Sequence, residues 1–207
     1  GSDLVEATSD TGAYVLLSGV PKRTSTKLTK ICNDIRLLSS GPRCGLNEIN
    51  LPQMQPGSSI MPGKVNPVIP EVVNQTSFLV IGLDLTVTLA ASAGQLQLNV
   101  MEPVITYALF KSISTMENAV NSLRVNCVQG ITANVERSHD LVLNSLGIIT
   151  VLKPLLGYKQ CAEIARECHQ TGKSLHAVVV EERQLLTQER WEEVFSFENL
   201  INPKFEN

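Results

Sequence analysis

The chain is poor in aromatic residues, in histidine and in net charge. Aromatics make up 4% of its 207 residues, with one tryptophan, Trp191, against 43% hydrophobic residues overall. A core built from this composition is aliphatic. Strands favour aromatic and β-branched side chains, so the balance, with the helical spacings below, points to an all-α protein. The three histidines, His139, His169 and His176, stand at no metal-ligand spacing. Surface or supporting roles suit them better than catalysis, and neither a metal nor a cofactor is expected. A net charge of −3 argues against a nucleic-acid surface. The basic group Lys22, Arg23, Lys27 and Lys30 reads as one solvated helix face. Five cysteines (Cys32, Cys44, Cys127, Cys161, Cys168) form no Cys-x-x-Cys pair and are odd in number. Reduced thiols in a cytoplasmic protein fit them better than a disulfide framework. Phosphate loop, dinucleotide fingerprint and nucleophile elbow are all lacking. No signal peptide is seen, and the most apolar run, Phe78 to Ala93, contains Asp84. It is shorter than the roughly 20 residues a bilayer span needs, so a buried helix and no membrane are expected.

What is present is helical punctuation. From about Asp3 to Ser40 the chain reads as helix, with Leu28, Ile31, Ile35 and Leu38 on one stripe. Pro21 is expected to kink or interrupt it, and Ser39-Ser40-Gly41-Pro42 to stop it. Arg43 to Pro67 is irregular, and long irregular stretches in compact domains are usually functional. Helix resumes from about Val68 to Ala93, with Pro70 in its first turn. It is apolar nearly all round, so burial by other subunits is expected. A third helix, from about Val104 to Gln129, carries a seam of Leu109, Ile113, Met116, Val120, Leu123 and Cys127 suited to a near-parallel bundle. Beyond Ile131 the elements are short and broken by Gly147, Pro154, Gly157 and Gly172. Ser174 and Thr187 are plausible N-caps there, and Trp191 with Phe195 forms the core of a small helical subdomain. Residues 1–130 are thus read as bundle and 131–207 as a small helical domain. Gly1-Ser2 resembles a cleavage scar and no initiating methionine follows, so a piece of a longer protein is expected.

The densest chemistry lies in Gly57-Ser58-Ser59-Ile60-Met61-Pro62-Gly63-Lys64-Val65-Asn66-Pro67. Two glycines relax the backbone and two prolines, Pro62 and Pro67, limit it. Ser58, Ser59, Lys64 and Asn66 all donate hydrogen bonds, and no acid neutralises the lysine. Such a loop suits an anion, and a carboxylate best, since the lysine supplies a point charge and the amide and hydroxyls direction.

This string closely resembles the signature of the aspartase/fumarase superfamily of lyases. The likeness extends to Ser40-Gly41-Pro42-Arg43-Cys44-Gly45-Leu46-Asn47-Glu48-Ile49 before it and Gly94-Gln95-Leu96-Gln97-Leu98-Asn99-Val100-Met101-Glu102-Pro103 after it. Fumarases tend to carry Thr-Gln and Phe-Lys where Val68-Ile69 and Met101-Glu102 stand, so the match favours the ammonia-lyase branch. The resemblance covers essentially the whole chain, but only about the C-terminal half of the family's protein. It implies the central long-helix bundle of that family, with loop 57–67 as its catalytic loop, plus the small C-terminal domain. It also implies reversible elimination of ammonia from L-aspartate to give fumarate. By the resemblance Ser58 is the base, acting as an alkoxide on a C3 proton. Ser59, Lys64 and Asn66 bind the substrate, with Lys64 and Asn66 at the carboxylate that becomes an enediolate, and Glu71 orients a histidine from the part not present. A homotetramer completes each site from three subunits, so this chain alone, without the missing N-terminal half, is expected to be inactive. The alternatives are a class II fumarase acting on malate, a related lyase such as one acting on argininosuccinate, or, for this piece, a non-catalytic oligomerisation module. The loop is expected to be mobile without ligand.

Overall fold

The computed structural model describes residues 2–56, 61 and 63–202. The protein is all-α. It divides into two compact units, the first ending at Asn134 and the second beginning at Val135.

The first unit is built on three long helices, α1 (Gly12–Leu38), α2 (Val68–Ser92) and α3 (Glu102–Asn126). The 3₁₀ turn Glu6–Thr8 precedes α1, so the helix starts later than the sequence suggests. Pro21 lies inside α1 without ending it. Proline removes the donor to the carbonyl of Leu17, and its buried ring packs with the other inward residues Ser18, Ser25, Cys32 and Ile35. The expected stripe holds at Ile35, which is buried, and at Leu28, which packs on the core, but shifts by one at Ile31: Ile31 is 47% exposed, while its neighbour Cys32 is fully buried. The same offset recurs on α3. Leu109, Met116, Leu123 and the following Cys127 are buried, but Ile113 and Val120 face outward and Ser112 and Ala119 take the inside positions. Small side chains at an interface let helix backbones approach closely.

The interior of this unit is two apolar clusters with polar groups between them. One gathers Cys32, Ile35, Val73, Ala119, Leu123 and Cys127; the other gathers Val87, Ala90, Ile105, Ala108 and Leu109. Between them, Asp84 on α2 accepts from Ser18 Oγ at 2.8 Å and pairs with Lys22 Nζ at 2.8 Å. Lys22 stays on the solvated basic face, its side chain 53% exposed, while its ammonium reaches Asp84. The run Phe78–Ala93 is helical as expected but not buried all round. It is most of α2, which is long and apolar enough to cross a membrane by length and composition. Here its inward strip of Val73, Asn74, Ser77, Val80, Asp84 and Val87 packs with α1 and α3, while Phe78, Leu85 and Leu89 stay exposed.

Two connections close the unit. Asn99, fully buried, donates to the carbonyls of Ala90 and Ala91 and accepts from Met101 N–H, capping the end of α2 and the start of α3 together. A two-residue antiparallel pair, β1 (Ile49–Asn50) with β2 (Thr132–Ala133), ties the irregular stretch to the exit of α3, in register Ile49 opposite Ala133. Asn134 reinforces it, donating through its side chain to Asn47 O at 2.9 Å and through its backbone to Glu48 O at 2.8 Å. Nearby, a Cβ on Gly130 would fall 2.5 Å from Pro52 Cγ, so only glycine fits there.

The second unit contains α4 (Val135–Leu143), α5 (Lys153–Thr171, broken at Gly157), α6 (Gln188–Val194) and α7 (Phe197–Ile201), with a 3₁₀ segment Leu146–Leu152 and a π-helical turn Ala177–Glu182. Its core is apolar and self-contained: Ile149, Leu152, Cys161, Ile164, Cys168, Leu175, Val178, Val179, Trp191 and Val194. Both expected caps form, Thr187 Oγ1 accepting from Arg190 N–H at 3.2 Å and Ser174 Oγ from Ala177 N–H at 3.1 Å. Trp191 stacks on Phe195 with ring centroids 4.0 Å apart. Their helix is followed by α7, so it is not the last one.

Candidate active site

The candidate site is the strip that leads into α2. Ser40 organises the approach to it: its carbonyl accepts from Asn47 N–H at 2.8 Å and its hydroxyl from Leu46 N–H at 3.1 Å. Gly45 packs so close that a Cβ would lie 2.2 Å from Ser40 O. On the far side of the loop, Lys64 N–H returns to Met61 O at 3.3 Å, with Gly63 at φ +78°, a left-handed conformation glycine adopts without strain. Val68 N–H then bonds to Asn66 O and Glu71 N–H to Pro67 O, starting the helix.

Of the expected site residues, Ser58 and Ser59 lie outside the described residues. Lys64 is exposed and Asn66 half-buried, just before the N-terminus of α2, where the helix dipole favours an anion. Glu71 follows in the first turn. Among the described residues no carboxylate pairs with Lys64, and no hydrogen bond joins the side chains of Lys64, Asn66 and Glu71 to one another. Glu71 faces a cation instead: its Oε1 lies 3.9 Å from Arg36 Nη2 on α1. Sequence reading passed over Arg36 and Asn33, because nothing in their spacing connects them to a loop some thirty residues on.

Comparison with known proteins agrees with the fold. A family profile described as Lyase matches residues 2–82 and one described as Fumarase C C-terminus matches residues 148–202. Proteins named aspartate ammonia-lyase from Helicobacter pylori and Pseudomonas aeruginosa are each 58% identical over 98% of this chain, and that from Escherichia coli K12 is 57% identical over 98%. The chain belongs to the aspartase/fumarase superfamily. It spans only about 43% of the length of these curated relatives. Among solved structures, a fumarate lyase:delta crystallin from Brucella melitensis superposes with a TM-score of 0.87 at 50% identity, over 93% of this chain and 41% of that one. A class II fumarase from Schistosoma mansoni gives 0.87 at 36% identity, over 96% and 41%.

Within this superfamily member, cavities and site do not coincide. Asn66 lines a void of only about 10 Å³ with Leu51, Pro52, Pro67, Pro70 and Cys127, at best room for one water and far too little for a dicarboxylate. A cavity of about 520 Å³ lies in the second unit between Val151, Pro154 and Leu155 and the Arg190–Asn202 region, and holds none of the expected site residues. We favour the strip over the cavity: the cavity's cation, Arg190, is already paired with Glu193, whereas among the described residues no acid pairs with Lys64. Among the described residues no cluster of His, Cys, Asp or Glu has the make-up of a metal site. All five cysteines are free thiols, four of them buried. Burial, with Cys127 nearby, pushes the Cys32 thiol up to about 11, and burial raises Cys127, Cys161 and Cys168 as well.

Proposed function

We propose that the protein to which these residues contribute is an ammonia-lyase that converts L-aspartate to fumarate and ammonia, reversibly. One observation carries the reading. The Gly57–Pro67 string sits in a chain 57–58% identical, over 98% of its length, to proteins named aspartate ammonia-lyase. In this scheme Ser58, as alkoxide, takes a proton from C3. The electrons of that C–H bond pass into the adjacent carboxylate to give an enediolate, then return to form the C2=C3 bond as the C–N bond breaks and ammonia leaves. Ser59, Lys64 and Asn66 bind substrate, Lys64 and Asn66 at the carboxylate that gathers charge, where preorganised donors matter most. Glu71 orients a histidine supplied from outside this chain.

Assembly into a cytoplasmic homotetramer is part of the same proposal. Its support is the apolar surface the first unit leaves uncovered, including Leu16, Phe78, Leu89, Phe110 and Ile113, more than soluble monomers usually tolerate. The small void at Asn66 among the described residues fits a site that other parts of the protein complete. The alternative, a class II fumarase, has the Schistosoma mansoni neighbour in its favour, but at 36% identity against 57–58% it is the weaker reading.

The test is fumarate release from L-aspartate, followed by ultraviolet absorbance, for this chain alone and mixed with the N-terminal half of a full-length protein. Activity only on mixing is expected, and Ser58→Ala should lower it by about 10²–10⁴-fold, the usual worth of a general base. Turnover of malate but not aspartate would move the assignment to fumarase. Silence on both substrates from a verified tetramer would leave only an oligomerisation module.

A further inference from the structure

The last turns of α1 are tied to the first turns of α2 by a chain of side chains of which the reaction scheme uses only Glu71. Asn74 on α2 is 4% exposed, and its Nδ2 donates to Asn33 Oδ1 on α1 at 2.8 Å. The same oxygen accepts from Arg36 Nη1 at 3.5 Å, and Arg36 Nη2 reaches within 3.9 Å of Glu71 Oε1. The guanidinium is a rigid planar fork of donors, so one partner on each nitrogen sets its plane. Arg36 thus connects a buried, oriented amide to the carboxylate one turn beyond Asn66.

Charge gives this link a purpose. The strip from Lys64 to Glu71 contains one cation and one anion, and the substrate it is read to bind presents two carboxylates. An unopposed Glu71 would repel that substrate and cancel much of the attraction of Lys64. Arg36 is the cation placed to oppose it, and the pair is open enough to act across the strip without burying a charge.

We propose that Arg36 is a positioning residue that holds the Glu71 carboxylate in place and neutralises it beside the substrate-binding strip. The inference rests on the lyase reading above, and its test separates the two. In the assembled full-length enzyme, Arg36→Met should raise KM for L-aspartate about tenfold at low salt while changing kcat less, and Arg36→Lys should recover most of the loss. Adding Glu71→Gln to Arg36→Met should shrink the KM defect, because the repelling charge is gone. An unchanged KM in Arg36→Met, or an equal KM rise whether residue 71 is Glu or Gln, overturns the proposal. Should the wild type turn over no substrate, the lyase reading fails. The pair is then read by thermal unfolding of the two single variants and the double: non-additive melting shifts support the Arg36–Glu71 link, and additive ones overturn it.

Discussion

The two units of this chain solve the same problem with opposite materials. The second is small and closes on itself, its ten-residue core made of aliphatic side chains around one tryptophan. The first is longer and turned partly inside out. Serine, asparagine, aspartate and alanine line much of its interior, while isoleucine, valine, leucine and phenylalanine stand outside. Four of its buried polar atoms, Ser25 Oγ, Thr29 Oγ1, Asn74 Oδ1 and Ser77 Oγ, have no protein partner. A helix can afford small inward residues only if another surface covers its large outward ones. The contrast teaches that the second unit carries its own stability, whereas the first is shaped for contact with more protein.

Four experiments break or sharpen that contrast, beginning with the largest effect. Ile164→Ala, in the closed core, should cost about 2–5 kcal/mol in urea unfolding of the second unit; a cost below 1 kcal/mol would mean that this core is not what holds the unit. Next comes alkaline pH. The Cys32 thiol, moved from 9.0 to about 11 in the fold, keeps its proton to higher pH than in the unfolded chain. Folding therefore binds a proton between those values: its contribution is full below pH 9 and is lost as pH climbs through 11. Melting temperature should fall over that window, and less steeply in Cys32→Ala measured against its own neutral-pH value. At pH 8 a thiol reagent should label the exposed Cys44 alone in the native chain, and all five cysteines after unfolding.

Third, Thr187→Ala removes the cap of α6 and should cost about 1 kcal/mol, read by thermal melting. Smallest is Ile113→Ala on the outer face of α3, expected to stay within about 0.5 kcal/mol in this chain alone. In an assembled oligomer the same change should weaken subunit association, visible as dissociation at higher concentration in sedimentation. An equal cost in both settings would dissolve the distinction between the units.

What could be read from sequence follows from where the signal is local. Stops written in glycine and proline, such as Gly41-Pro42, and caps such as Thr187 depend on a few adjacent residues, and they stand where expected. The start of α2 at Val68 with Pro70 in its first turn was equally legible. Ile31, Ile113 and Val120 misled because hydrophobic spacing marks every face that is covered somewhere, and not the face covered within this chain. Pro21 misled because the packing around its ring outweighs the lost hydrogen bond. The β1–β2 pair joins residues more than eighty apart with no local sign of it. For the site, Lys64, Asn66 and Glu71 were visible as chemistry in one strip. Arg36 was not, since its link to Glu71 exists only once α1 and α2 lie side by side.

The two-residue pairing of β1 with β2 has a consequence for how this fold can change. It anchors the chain at Ile49–Asn50, and α2 anchors it again from Val68, so the backbone is pinned on both sides of the loop. The entropy of closing such a loop grows only with the logarithm of its length, about 0.6 kcal/mol per doubling. Residues can therefore be inserted or removed between these anchors at little thermodynamic cost and without moving the helices. The loop is the part of this architecture that can be rewritten while the scaffold stays the same, which makes it the natural place for one bundle to acquire different substrates.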